Sequence, residues 1–278
     1  MLGRVLNALA NDFDMKLSTL SGGLKDNAIP TDAEAVVIFS DTDMSDISTP
    51  GHADIPANSA HASLQDLISK WNQIIRHECT HTDPDICITL EPVDLPAATM
   101  ADTSTHTVID VLMAYPNGVR KMSKDIAGLV QTSLNLGILS TIKPDDQSTN
   151  GMVSFKSSVR SSIGSEKDAL LNSLKSLATL AGGTLTVTGD YPAWEYREDS
   201  PLRDLMVKIF KQQYGKEPVI QALHAGVECG IFASKLPGLD CVSFGPDMDD
   251  IHTTNESMNV ESVRRTWEYT LEILKELK

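Results

Sequence analysis

Leu2, Val5, Leu6 and Leu9 repeat at the 3.6-residue period of an amphipathic helix. Met1 belongs to the same stripe with nothing before it to cap the helix, as in a chain cut from something longer. Residues 15–20 and 34–39 alternate or run apolar as strands do, and Ser21-Gly22-Gly23 breaks the chain between them. Residues 40–62 are polar, carry Pro50-Gly51 and Pro56, and read as a long loop. Ser63, with Asp66 three residues on, caps a helix whose stripe is Leu64, Leu67, Ile68, Trp71, Ile74 and Ile75. Asp83-Pro84 stops it, and residues 86–90 read as a strand. A helix over 105–115 closes at Pro116-Asn117-Gly118, and strands over 128–142 and 152–159 follow. Ser165 caps a further helix (Leu170, Leu171, Leu174, Leu177, Ala178, Ala181) that Gly182-Gly183 ends, and residues 184–188 read as one more strand.

The character changes near Gly189. Ser200-Pro201 opens a helix that runs to Tyr214 and stops at Gly215. A strand over 219–223 leads through a Gly-bearing turn into 230–235, and a short strand over 241–244 precedes a Gly/Pro/Asp-rich loop. Asn259 caps the last helix, whose apolar positions are Val260, Val263, Trp267, Leu271 and Leu274. The pattern predicts two regions. Residues 1–189 form an α+β domain, an antiparallel sheet with helices on one face, and residues 190–278 alternate helix and strand as α/β folds do.

Charge sharpens this division. The 278 residues carry 23 Lys+Arg against 38 Asp+Glu, a net −15. From Asp26 to Ser69 there are eight acids and no Lys or Arg, and from His77 to Gly118 seven acids and again none, so the second half is near neutral. Such a balance argues against a binder of phosphate backbones, which needs a basic face. No apolar run approaches the roughly 20 residues of a membrane span, and the N-terminus lacks a signal peptide's apolar stretch. Cys79, Cys87, Cys229 and Cys241 show no C-x-x-C spacing and are too few to staple a chain of this size. A reduced, cytoplasmic protein is the expectation.

His77-Glu78-Cys79-Thr80-His81 matches H-E-x-x-H, the spacing that puts two zinc-binding imidazoles and a general base on one helical turn. The pattern around it weighs against that chemistry. At 100° per residue His77 falls about 120° from the stripe centred on Trp71, towards solvent. Asp83-Pro84 ends the helix just after His81, and Pro84 stands where the extended motif has Gly.

Three quieter segments carry more when taken together. The first is Gly22-Gly23-Leu24-Lys25-Asp26-Asn27-Ala28-Ile29-Pro30, and the second is Phe155-Lys156-Ser157-Ser158-Val159-Arg160-Ser161-Ser162. The third is His224-Ala225-Gly226-Val227-Glu228-Cys229-Gly230, followed by Gly245-Pro246-Asp247 and His252-Thr253-Thr254-Asn255-Glu256. In this order, and with Asp190-Tyr191-Pro192 and Ser200-Pro201-Leu202-Arg203 between them, they resemble the aminoacyl-histidine dipeptidases, di-zinc relatives of carnosinase. The resemblance runs from near Met1 to the final helix.

It implies hydrolysis of dipeptides, typically Xaa-His such as β-alanyl-histidine, by a metal-activated water. His252 matches a zinc ligand, Arg160 the lid arginine that holds the substrate carboxylate, and Asn27 a residue near the reacting carbonyl. Gly226 matches a glycine whose backbone lies beside that carboxylate. A strand that ends in a Gly-bearing loop before a helix also offers free N–H groups to an anion on its own account. His224 and Glu228 would support this loop, and Cys229 packs rather than reacts, having no base beside it. On the resemblance, residues 1–189 are a truncated lid and dimerisation domain, and 190–278 the C-terminal part of a catalytic domain. The family's H-x-D segment, bridging Asp, E-E pair with the general base, further Asp and partner-reaching His are not recognisable here. The chain therefore reads as a fragment, inactive alone, whose exposed edges favour association. A non-catalytic dimerisation module is the alternative, and an H-E-x-x-H protease using His77, Glu78 and His81 the third.

Overall fold

The computed structural model describes residues 1–40, 60–143, 151–221, 228–251 and 253–277. Two compact units divide them. One comprises residues 1–118, 134–158 and 172–185, the other residues 119–133, 159–171 and 186–278.

In the first unit, α1 (Leu2–Asp12) buries Gly3, Val5, Leu6 and Leu9, the stripe read from the sequence. Strands β1 (Met15–Gly22) and β2 (Ala33–Phe39) pair antiparallel. The β1 register slips between Leu17 and Thr19, leaving Ser18 as an extra residue. This bulge changes which positions face inward: Met15 and Leu17 are buried, then Leu20 three residues later instead of two. The Leu17 backbone finds partners off the strand, its N–H donating to Thr105 Oγ1 at 3.2 Å and its carbonyl accepting from Met100 N–H at 2.7 Å. Thr105 lies on α3 (Asp102–Ala114) and is fully buried.

Helix α2 (Ala60–Glu78) begins before the expected cap, so Ser63 lies within the helix. Its stripe is as read: Leu64, Ile68 and Ile75 are buried, and Leu67 and Trp71 pack against the same core as α1. The strand expected over 86–90 does not form, and these residues lie outside any ladder. One side chain stands in for a strand partner: Asn72 Nδ2 donates to the Ile88 carbonyl and Asn72 Oδ1 accepts from the Ile88 N–H, both at 2.8 Å.

Strands β3 (Gly118–Met122), β4 (Val130–Ile142) and β5 (Met152–Ser161) complete a five-stranded sheet of order β2-β1-β4-β3, with β5 also on β4. Pattern reading missed β3, whose five residues are all exposed and so show no alternation. The described molecule is thus mixed α/β with an antiparallel sheet, as expected. Helix α4 (Gly164–Leu180) buries Leu170 and Leu174 and closes at Gly182, whose φ of 72° needs glycine.

In the second unit, Ser200 caps α5 (Pro201–Tyr214) and Gly215, at φ 65°, ends it. Helices α6 (Glu228–Lys235) and α7 (Val260–Glu276) follow, separated by the short antiparallel pair β6 (Met248–Asp249) and β7 (Ser257–Met258). The strands expected over 184–188 and 241–244 have no ladder, nor do residues 219–221; Leu223 and the rest of that expected strand lie outside the described residues. Helix α7 packs on α5 through Tyr269 and Ile273, against Met206 and Ile209. Its five apolar positions noted above face outward, Trp267 at 62% exposure.

Candidate functional site

Asn27 sits in an exposed turn in which the Ala28 N–H donates to the Lys25 carbonyl at 3.3 Å. The turn lies against β4. The β1–β4 ladder runs through Ser21↔Ser140 and Gly22↔Leu139, and at Gly23 the backbone takes φ 71°. A Cβ on Gly23 would come within 1.9 Å of the Gly137 carbonyl oxygen, and one on Gly137 within 2.4 Å of the Asp26 carbonyl oxygen. Only a glycine at each position permits this approach. Beside them, Asn135 Nδ2 donates to the Asp26 carbonyl at 3.1 Å and the Ala28 carbonyl at 2.7 Å. Asn117 Oδ1 accepts the Leu136 N–H at 2.7 Å. Nothing in the residue pattern singles out Asn135; the signal of close approach is Gly137, a glycine inside an apolar strand.

Arg160 is the penultimate residue of β5 and is exposed. The strand end beside it is held by a polar network. Ser161 Oγ and Thr132 Oγ1 share a hydrogen bond of 2.8 Å, and the Ser162 N–H donates to the Gln131 carbonyl at 3.0 Å. Glu166, in the first turn of α4, accepts from Thr132 Oγ1 and Gln131 Nε2, each at 2.7 Å, and pairs with Lys121. The Lys121 bond first, then that from Thr132, brings its carboxyl from 4.5 down to about 2.

Glu228 opens α6, where a carboxylate suits the helix N-terminus. Gly230 lies against the 192–194 backbone, since a Cβ there would meet the Pro192 carbonyl oxygen at 2.6 Å. Burial pushes the Cys229 thiol up from its ordinary range, the reverse of what a nucleophile needs. His224, Gly226 and His252 lie outside the described residues. The segment either side of His252 joins β6 to β7. Its Thr253 N–H and Oγ1 both bond the Asp250 carbonyl, at 3.1 and 2.8 Å. Asp247, just before β6, is tied to the start of α7: its N–H donates to Ser262 Oγ at 2.9 Å and its carboxylate pairs with Arg265 at 3.1 Å.

The H-E-x-x-H residues are arranged against zinc chemistry. Helix α2 ends at Glu78, so His77 and His81 do not share a helical face, and both are exposed. Glu78 is committed elsewhere: Arg4 forks onto it at 2.6 and 2.9 Å while lying over the Trp71 ring. That bond holds the Glu78 carboxyl below its ordinary range, whereas a general base needs the opposite shift. Among the described residues no three His, Cys, Asp or Glu side chains come together as a metal site, and no helix is long and apolar enough to cross a membrane.

Comparison with known proteins bears on what this arrangement does. Residues 18–276 match the family model described as peptidase family M20/M25/M40. The chain is 32% identical over 277 residues to the cytosol non-specific dipeptidase of Escherichia coli (strain K12), covering 100% of this chain and 52% of the relative. The crystal structure of aminoacylhistidine dipeptidase from Vibrio alginolyticus superposes with a TM-score of 0.84 at 29% identity, over 99% of this chain and 51% of that one. The chain thus spans about half the length of the relatives it matches.

Proposed function

The chain belongs to peptidase family M20/M25/M40, and on that footing we propose that it is part of a metal-dependent dipeptidase acting on Xaa-His dipeptides such as β-alanyl-histidine. The observation that carries the reading is the family match, which runs unbroken through the Asn27, Arg160 and His252 segments. In this reading Arg160 forks onto the substrate's C-terminal carboxylate, supported by the rigid strand end that Glu166 ties down. Asn27 orients the reacting carbonyl from its exposed turn, and the Gly226 backbone lies beside the carboxylate. His224 and Glu228 hold that loop in place.

His252 supplies one ligand to the cation, zinc by the resemblance. A catalytic zinc takes about three protein ligands, so the others and the general base come from outside these 278 residues. Residues 1–189 then act as lid and dimerisation domain and 190–278 as catalytic portion, in a cytoplasmic homodimer, and the 278 residues alone do not turn over substrate. The names of the two relatives differ in breadth, one non-specific and one aminoacylhistidine. The Xaa-His preference is therefore measured against a dipeptide lacking histidine.

The test substitutes His252→Ala and His77→Ala separately in the full-length enzyme and follows β-alanyl-histidine cleavage. Loss of turnover with His252→Ala and its retention with His77→Ala is the expected pair of results. Loss with His77→Ala alone would overturn the assignment.

A further inference from the structure

We propose that Asn135 is a positioning residue that sets the orientation of Asn27, through a pair of hydrogen bonds from one side-chain amide to the loop backbone on either side of it. The inference rests on the reading of Asn27 given above.

The turn that carries Asn27 has little to hold it by itself. Asn27 and its neighbours from Leu24 to Pro30 are exposed, Leu24 at 90% and Ile29 at 84%, so no apolar anchor draws the turn onto the sheet. Its internal Ala28–Lys25 bond is long at 3.3 Å. Against this, Asn135 reaches the Asp26 and Ala28 carbonyls at 3.1 and 2.7 Å. Both partners are acceptors, so only the NH2 end of the amide satisfies them, and its orientation follows from the chemistry. The Asp26 carbonyl belongs to the peptide plane that enters Asn27, and the Ala28 carbonyl to the plane that leaves Ala28. Fixing both brackets Asn27 and limits the directions in which its side chain can point.

The strand beneath is shaped for this grip. Gly137, two residues on and on the same side of β4, lets the Asp26 backbone come closer than any side chain would allow. The adjoining Leu136 N–H is occupied by Asn117 Oδ1. Three consecutive β4 residues are thus given over to the loop and its surroundings, just past the Leu139–Gly22 pair where the β1 ladder ends.

The discriminating variant is Asn135→Asp, which keeps the shape and removes both donors. Amide hydrogen exchange on the 278-residue chain reads the loop directly. Losing both hydrogen bonds frees the loop backbone and speeds exchange at the Ala28 amide about tenfold or more. The β1–β2 ladder amides stay protected, which shows that the sheet is intact. In the full-length enzyme, Asn135→Asp lowers kcat with little change in KM, and adding Asn27→Ala costs no more than Asn27→Ala alone. Unchanged exchange at Ala28, or losses that multiply in the double variant, would overturn the inference. If Asn27→Ala leaves turnover intact, the reading of Asn27 fails, while the exchange result still judges the grip of Asn135.

Discussion

Glu166→Gln removes the carboxylate that ties β3, β4 and α4 together. In the folded protein this group titrates at about 2 against an ordinary 4.5. Taken whole, that shift corresponds to about 3.4 kcal/mol at neutral pH. The Glu166 side chain is 24% exposed and that of Lys121 45% exposed, so solvent screening reduces the expected contribution to about 1–2 kcal/mol. The sign follows from linkage. A carboxyl whose folded pKa is depressed stabilises fully above its unfolded value, and the contribution fades as pH falls from 4.5 towards 2. Glutamine keeps one acceptor but loses the charge and turns an N–H2 towards donors. Urea unfolding of both proteins at pH 7 and at about pH 3.5 measures the effect. The gap between them is about 1–2 kcal/mol at pH 7, and more than half of it is gone at about pH 3.5. A gap of the same size at both pH values would refute the electrostatic account.

Two further substitutions probe other levels of the structure. Ser200→Ala removes the cap of α5, where Ser200 Oγ accepts the Arg203 N–H at 3.2 Å and donates to Asp240 at 2.7 Å; a loss of about 1–2 kcal/mol in thermal or urea unfolding is expected. Arg160→Lys keeps the charge and removes the fork, so steady-state kinetics of the full-length enzyme should show KM for dipeptides rising about tenfold with kcat less affected.

The helices were largely legible because what starts and stops them lies within a few residues. Ser200-Pro201 and Gly215 bound α5, and Asn259 opens α7 by accepting the Ser262 N–H at 3.0 Å, all readable from local chemistry. So was the buried face of α2, and with it the outward direction of His77. The motif segments were legible too, since their order along the chain does not depend on folding. Strands behaved differently. Residues 86–90, 184–188 and 241–244 have strand-like composition, yet a strand exists only when another backbone satisfies its N–H and C=O groups, and composition does not name the partner. At Ile88 an asparagine took that place.

The outward face of α7 is a similar case. Its apolar periodicity is plain, but Tyr269 and Ile273 on another face meet α5, and which of two faces is covered depends on what else is near. The Ser18 bulge shifts the inward positions of β1 without any mark in the residue pattern. The Asn27 motif is contiguous in the chain, whereas the amide bonded to its turn lies 108 positions away at Asn135. Local sequence determines interactions that close within a turn or two of chain; pairings between distant segments are decided by which backbones folding brings within about 3 Å of each other.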